Sequence, residues 1–228
     1  MPTKKPKKAG QPPARILVVD DHPLLRDGLI RLISRDPSLV VCGEAEDPVT
    51  ALRQIAALKP DVAIVDLSLK DKSGLELVKD IRVRFAKLPV LVLSMHEETL
   101  YAQHALRAGA KGYIMKEEAP ERVRLAIHTV LDGGIYLSDK MTARTLSQYA
   151  TKEAPVVDSP LESLTDRELE VFELIGQGLG TRRISERLHL SVKTIESYRA
   201  RIKDKLGLRD ASELVKHAVE WVLHGQGR

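Results

Sequence analysis

Asp20 and Asp21, Asp66, Ser94 and Lys116 each stand where a short, continuously apolar run stops. The runs read Ile-Leu-Val-Val, Val-Ala-Ile-Val, Val-Leu-Val-Leu and Gly-Tyr-Ile-Met. Carboxylates, a hydroxyl and an ammonium are together the groups that hold a divalent cation and receive a phosphoryl group. A carboxylate can accept phosphate as an acyl phosphate, and Mg2+ takes one or two carboxylates while keeping water or phosphate oxygens. The transfer itself is mostly positioning and electrostatics, so a cation must offset the moving charge. Asp20 and Asp21 suit the metal, Asp66 the nucleophile and Lys116 the charge clamp, and Ser94 can hydrogen-bond a phosphoryl oxygen. Singly, each has a plainer use, since a strand-end Asp often caps the next helix. Agreement at four strand ends outweighs that alternative.

Such runs are the signature of buried parallel strands. They fall at about 16–20, 39–44, 61–66, 89–94 and 111–115 and alternate with amphipathic stretches. Leu25, Leu29, Leu32 and Ile33 share one helix face, as do Leu52, Ile55 and Ala56; Leu77, Val78 and Ile81; and Val123, Ile127, Val130 and Leu131. Strand followed by helix, repeated, predicts a doubly wound α/β domain with a five-stranded parallel sheet over 15–137. Ligands of such sheets bind outside the carboxyl ends of the strands, which is where the reactive residues stand. Residues 138–160 change character, with a short helix up to about Tyr149 and then a proline-bearing linker. From 161 to 228 every apolar pattern has helical spacing, so the second domain is all-α.

The chain of 228 residues, 43% hydrophobic and 30% charged, has the composition of an ordinary soluble protein with room for two domains. No stretch approaches the roughly 18 apolar residues of a membrane span, and no signal-peptide core opens the chain. Cys42, the single cysteine, has no internal disulfide partner and reads as a small core residue. A reducing cytoplasm, with no membrane partner, is the expected setting. The net charge of +4 hides an asymmetry. Residues 1–14 carry Lys4, Lys5, Lys7 and Lys8 without an acid, a disordered basic tail open to nucleic-acid contact or a merely solubilising role. Residues 161–180 hold five acids and one Arg, whereas 181–209 hold nine Lys/Arg and three acids. Opposite signs side by side suit one face for an anionic partner and another for something else.

In the second domain Thr165 and Glu168 form a capping-box pair ahead of Val171, Leu174 and Ile175. A helix from Thr181 to Leu188, a brief turn at His189-Leu190, Ser191 as N-cap and a helix from Val192 to about Leu206 predict a helix-turn-helix. The second of these buries Val192, Ile195, Ile202 and Leu206 and turns Lys193, Thr194, Glu196, Ser197, Arg199, Ala200, Arg201, Lys203 and Lys205 mostly outward.

The run Ile-Leu-Val-Val-Asp-Asp-His-Pro, Asp61-Val-Ala-Ile-Val-Asp-Leu with Gly74 eight residues past Asp66, Val-Leu-Ser94 and Ala-Gly-Ala-Lys-Gly-Tyr-Ile-Met-Lys116 resemble bacterial response-regulator receiver domains. Leu-Thr-x-Arg-Glu-x-Glu-Val, Lys193-Thr194-Ile195 and Lys205-Leu206-Gly207-Leu208 resemble the DNA-binding domain of LuxR/NarL-type regulators. The resemblance implies a flavodoxin-like receiver and a tetrahelical DNA-binding domain. It makes Asp66 the phospho-acceptor and Asp21 a direct Mg2+ ligand, with Asp20 acting through water and the Ser68 carbonyl as a further ligand. Ser94 and Tyr113 become the switch pair: Ser94 moves inward on phosphorylation and Tyr113 follows. Two departures, Lys70 and Glu117 where relatives have proline, leave loop geometry and kinase choice open; Ser68 and His96 would tune phosphate lifetime.

The reading is a transcriptional switch and not an enzyme. A histidine kinase phosphorylates Asp66, the protein dimerises, and helix 192–206 enters the major groove of promoter DNA. Lys193, Thr194, Arg201 and Lys205, with Arg182 or Arg183, hold phosphates, while Glu196, Ser197 and Ala200 face base edges, Glu196 toward cytosine. The acids of 161–180 contact RNA polymerase or the receiver, or are ordinary helix-start acids. A small phosphatase is the rival, but the Asp-x-Asp arrangement such hydrolases use for a general acid is missing.

Overall fold

The computed structural model describes residues 12–69, 73–95, 98–150 and 160–225. Residues 1–11, 70–72, His96 and 151–159, on which several expectations fell, lie outside the described residues. The first domain runs β1 Ala14–Val19, α1 Pro23–Ile33, β2 Leu39–Ala45, α2 Pro48–Leu58, β3 Val62–Val65, α3 Gly74–Arg84, β4 Val90–Ser94, α4 Glu98–Ala108, β5 Gly112–Met115 and α5 Pro120–Leu131. The strands pair in parallel in the order β2-β1-β3-β4-β5. Chain direction across the sheet therefore reverses between β1 and β3, the switch point at which doubly wound sheets bind ligands. That is why Asp20, Asp21 and Asp66, far apart in sequence, come to neighbouring strand ends.

The strands are apolar throughout because both faces are covered. Ile16, Val18, Val62 and Ile64 pack with Ile33 and Ile127 of α1 and α5. Leu17, Val19, Ala63 and Val65 pack with Ile55, Leu77, Val78 and Ala102 of α2, α3 and α4. This second cluster runs on without a break into Leu169, Phe172 and Ile175 of the helical domain.

A helix α6, Asp139–Ala150, occupies the first half of the expected linker. It is anchored, with Met141 buried, the Ser138 amide donating to Glu98 Oε1 at 2.8 Å and Arg144 ion-paired to Glu162. A 3-10 turn at Pro160–Ser163 leads into α7 Asp166–Gly176, α8 Thr181–Arg187, α9 Val192–Leu206 and α10 Ala211–Gly225. The capping box at Thr165 and Glu168 is formed in full. Gly176 is required where α7 crosses α10: a Cβ there would lie 2.3 Å from the Ala218 carbonyl oxygen. Between α8 and α9, His189 takes φ 53, a left-handed conformation that His tolerates better than most residues, and Ser191 caps α9 through the Thr194 amide.

Two expected core positions differ. Val192 is 43% exposed because it is the first helical residue of α9, ahead of the turn that packs, whereas Ile195 and Ile202 are fully buried. Cys42 is half-buried rather than part of the core.

Candidate functional site

Each reactive residue is fixed by the last backbone bond of its strand. The Asp20 amide donates to the Ala45 carbonyl at 3.1 Å, the Asp66 amide to Val19 at 2.9 Å and the Lys116 amide to Ser94 at 2.8 Å. Gly74 allows the close approach that follows: a Cβ there would stand 2.1 Å from the Asp66 carbonyl oxygen, so only glycine can open α3 against the backbone of Asp66. Lys116 Nζ bridges the two strands, donating to Asp20 Oδ2 at 2.7 Å and Asp66 Oδ2 at 2.8 Å.

These groups are almost wholly out of water. Burial pushes the Asp66 carboxyl above its ordinary range; the Lys116 charge and hydrogen bond, and the Ser68 amide, pull it back only in part. Burial works against the Lys116 ammonium, but the facing Asp66 and Asp20 carboxylates more than compensate and hold its pKa raised. Asp21 Oδ1 and Asp66 Oδ1 are buried with no hydrogen-bond partner. A buried carboxylate oxygen left without a donor is costly, on the order of 1–3 kcal/mol or more, so both oxygens are suited to a cation. Ligand atoms of Asp20, Asp21, His22 and Asp66 lie within 4.8 Å of one another. The donor set therefore fits a divalent metal. His22 was not expected in it from the sequence.

Ser94 and Tyr113 lie beside this cluster, both fully buried and hydrogen-bonded to each other. In this arrangement the Tyr113 ring is already inside. What remains open to change is which oxygen the Ser94 hydroxyl serves.

α4 carries a second group of residues that sequence reasoning missed. The Tyr101 hydroxyl donates to Glu173 Oε2 of α7 at 2.9 Å, and its ring stacks on Trp221 of α10 with centroids 6.2 Å apart. His104 Nδ1 meets Asp166 Oδ1 at 2.5 Å, and Lys79 of α3 holds Asp166 Oδ2 at 2.6 Å. Burial alone would push the Asp166 carboxyl up; the hydrogen bonds from His104 and Lys79 overturn this and hold it at about 2. A cavity of about 560 Å³ lies between the domains, lined by Asp21 and Ser68 on one side and Glu170, Glu173 and Arg187 on the other. In the sequence, Tyr101 and His104 are only an i,i+3 pair on a helix, with nothing to name their partners.

On α9, Lys193, Glu196, Ser197, Ala200 and Arg201 are exposed and Thr194 is half-buried. Arg182 and Arg183 of α8 are exposed, Arg182 with Glu186 at 3.4 Å. The receiver side thus docks on α7 and α10 and leaves the outer face of α9 open. Lys205 stands apart from this group. Its ammonium donates to the buried Glu168 carboxylate at 2.6 Å and to the Ser163 carbonyl at 3.0 Å, so this exposed residue also ties the end of α9 to the start of α7.

Residues 16–128 match the response regulator receiver domain family, and residues 162–218 match the luxR family of bacterial regulatory proteins. The chain is 35% identical over 210 residues to the oxygen regulatory protein NreC of Staphylococcus aureus, covering 90% of this chain and 97% of that one. It resembles the structure of RcsB from Salmonella enterica serovar Typhimurium bound to promoter P1flhDC in the presence of phosphomimetic BeF3−, with TM-score 0.70 and 25% identity over 91% of this chain and 98% of that one. A LuxR-family two-component response regulator from Aurantimonas sp. SI85-9A1 is 34% identical, with TM-score 0.57, over 60% of this chain and 98% of that one.

Proposed function

The chain belongs to the NarL/FixJ-type response regulators, DNA-binding proteins that join a receiver domain to a LuxR-type helix-turn-helix domain, and from that premise we propose that Asp66 is the phospho-acceptor, supplied by a partner histidine kinase in the cytoplasm. The observation that carries this reading is the buried Asp66 Oδ1, which has no hydrogen-bond donor while Lys116 holds the other oxygen. Asp21, Asp66 and the Ser68 carbonyl would hold Mg2+, with Asp20 helping through water; the ion supplies neutralisation of phosphoryl charge. Lys116 steadies the same charge from the opposite side.

A phosphoryl dianion on Asp66 competes for the Ser94 hydroxyl that now serves Tyr113. Tyr113 packs in one continuous cluster with Tyr101 of α4, and Tyr101 holds α7 and α10. A local charge event thereby biases the contact between the domains. Because the outer face of α9 is open while this contact is closed, control acts on α7 and α10 and not by covering the recognition helix. Released domains pair as a homodimer and place two copies of α9 one DNA turn apart on promoter DNA. Lys193, Thr194 and Arg201, with Arg182 or Arg183, hold phosphates; Glu196, Ser197 and Ala200 read bases. The limits we adopt are 15–137 for the receiver, 138–160 for the connection and 161–228 for the DNA-binding domain.

The acids of 161–180 are used within the chain: Asp166 by His104 and Lys79, Glu168 by Lys205, Glu170 by Arg167 and Glu173 by Tyr101. They serve the chain's own contacts in this arrangement. The deciding experiment incubates wild type and Asp66→Asn with acetyl phosphate and Mg2+, then measures intact mass and operator binding. Wild type gains one phosphoryl group and binds more tightly, and the variant does neither. A phosphorylated wild type with unchanged DNA binding would overturn the switch.

A further inference from the structure

We propose that Arg187 of the DNA-binding domain binds the leaving group of small acyl phosphates as they phosphorylate Asp66, which makes the docked protein selective for phosphodonors that release an anion. This rests on the reading of Asp66 as the phospho-acceptor, and adds to it one donor class and one residue from the other domain.

The cavity of about 560 Å³ between the domains is the place for such a donor. One wall is the phosphorylation edge, with Asp21, His22 and Ser68, and the other is α7 and the end of α8. Small-molecule sites run from about 300 to about 1,000 Å³, so the volume suits a compact ligand. Two turns of α-helix, about 10 Å across and about 11 Å long, already fill roughly 850 Å³. The cavity therefore admits an acyl phosphate and excludes the helix of a protein donor.

Charge on its walls is almost all spent. Lys79 and His104 hold Asp166, Arg167 holds Glu170, Tyr101 holds Glu173, and the His22 ring lies 2.8 Å from Asp21. Arg187 carries the one permanent positive charge among the described lining residues. No ion pair or hydrogen bond among the described residues engages its guanidinium. A base in the last turn of a helix offsets the helix dipole by its charge alone. Arg187, the final residue of α8, does that and still keeps an exposed fork of donors for an anion.

The direction of transfer sets what that fork meets. Attacking and leaving oxygens lie roughly in line through the phosphorus. Asp66 attacks from the strand end, with Lys116 on its other oxygen, so the leaving group points away from the sheet and into the cavity. With acetyl phosphate, a carboxylate oxygen of Asp66 bonds to phosphorus, the bridging P–O bond breaks with its electron pair on acetate, and no proton moves. Negative charge grows on the departing acetate, where a guanidinium stabilises the transition state more than the ground state. Phosphoramidate delivers the same phosphoryl group, but its protonated nitrogen leaves as neutral ammonia, and a facing cation gains nothing.

The test uses the full-length protein with saturating Mg2+, as wild type, Arg187→Ala and Arg187→Lys. Initial rates of phosphorylation by acetyl phosphate and by phosphoramidate are followed by intact mass. Arg187→Ala should slow acetyl phosphate about tenfold and phosphoramidate less than about twofold. Arg187→Lys, which keeps the charge, should recover most of the acetyl phosphate rate. Trp221 emission should be the same in all three proteins, because Arg187 does not hold the domains together. An unchanged acetyl phosphate rate in Arg187→Ala, an equal loss with both donors, or altered Trp221 emission would overturn the proposal. If wild type is phosphorylated at Asp66 by both donors, such a result removes the Arg187 assignment alone. If neither donor phosphorylates wild type, the acceptor reading and the Arg187 assignment fall together.

Discussion

At the sheet edge, Asp20, Asp66 and Lys116 are buried and hold one another, and the two oxygens left over face inward. On α9, Lys193, Glu196, Ser197, Ala200 and Arg201 face solvent, and the helix is held only by residues on its other side. The difference is in what a substitution can disturb. In the pocket each charge is the compensation of another, so removing one changes chemistry and local stability together. On the helix each side chain acts alone, so sequence preference can change while the fold does not. A switch protein needs both: an input that accepts one reaction only, and an output that can vary.

The comparison breaks first at Asp66. Asp66→Asn keeps shape but removes the nucleophile and the charge that faces Lys116, so phosphoryl incorporation should fall to nothing and the melting temperature should shift with it; residual incorporation by intact mass would place the acceptor elsewhere. Lys205 tests the border between the two regions, since it is a basic α9 residue with a buried partner. Lys205→Ala leaves the Glu168 carboxylate with the Thr165 amide as its remaining donor and should cost about 1 kcal/mol of domain stability in urea unfolding. Its dependence of DNA binding on salt should stay as it is, whereas Lys193→Ala should flatten that slope by about one unit and cost little stability. If Lys205→Ala flattened the slope and left unfolding alone, the clamp assigned to it would be wrong. Narrower in reach, Glu196→Ala should shift base preference at one operator position by about 1–2 kcal/mol, read from a library of operator variants; uniform weakening across the library would make Glu196 a backbone neighbour instead.

Legibility followed the same division. Strand-end residues could be read because a parallel sheet sends every strand end to one edge, so Asp20, Asp21, Asp66, Ser94 and Lys116 needed only the apolar runs to be recognised. The helical domain was readable through local signals, the capping box at Thr165 that starts α7 and the cap at Ser191 that starts α9. Contacts between the domains were not, because Tyr101–Glu173 and His104–Asp166 join residues 72 and 62 positions apart with no shared periodicity. The Lys205–Glu168 pair was missed for a related reason. A lysine on the polar side of a helix looks solvated until the neighbouring helix places a buried carboxylate against it. His22 was overlooked because an N-cap position explains a polar residue without reference to the sheet edge.

The smallest effect concerns the contact that couples the two regions. Asp166 is held at about 2 by His104 and Lys79, below the ordinary carboxylate value of 3.8. A carboxyl depressed by folding contributes stability above its unfolded pKa and loses it as pH falls through the folded one. The Asp166 contribution is therefore complete above about pH 4 and vanishes as pH falls toward 2. Lys79 is substantially exposed and its share is screened by solvent, so Asp166→Asn should weaken the contact by only about 1 kcal/mol at neutral pH. Trp221, the single tryptophan of the chain, stacks on Tyr101 across this contact and reports its opening by fluorescence. Wild type should show a change in Trp221 emission between pH 4 and 2 that Asp166→Asn has already undergone at pH 7. If the variant keeps the wild-type emission at pH 7, Tyr101 and Trp221 hold the domains together without Asp166, and the polar half of the contact is dispensable.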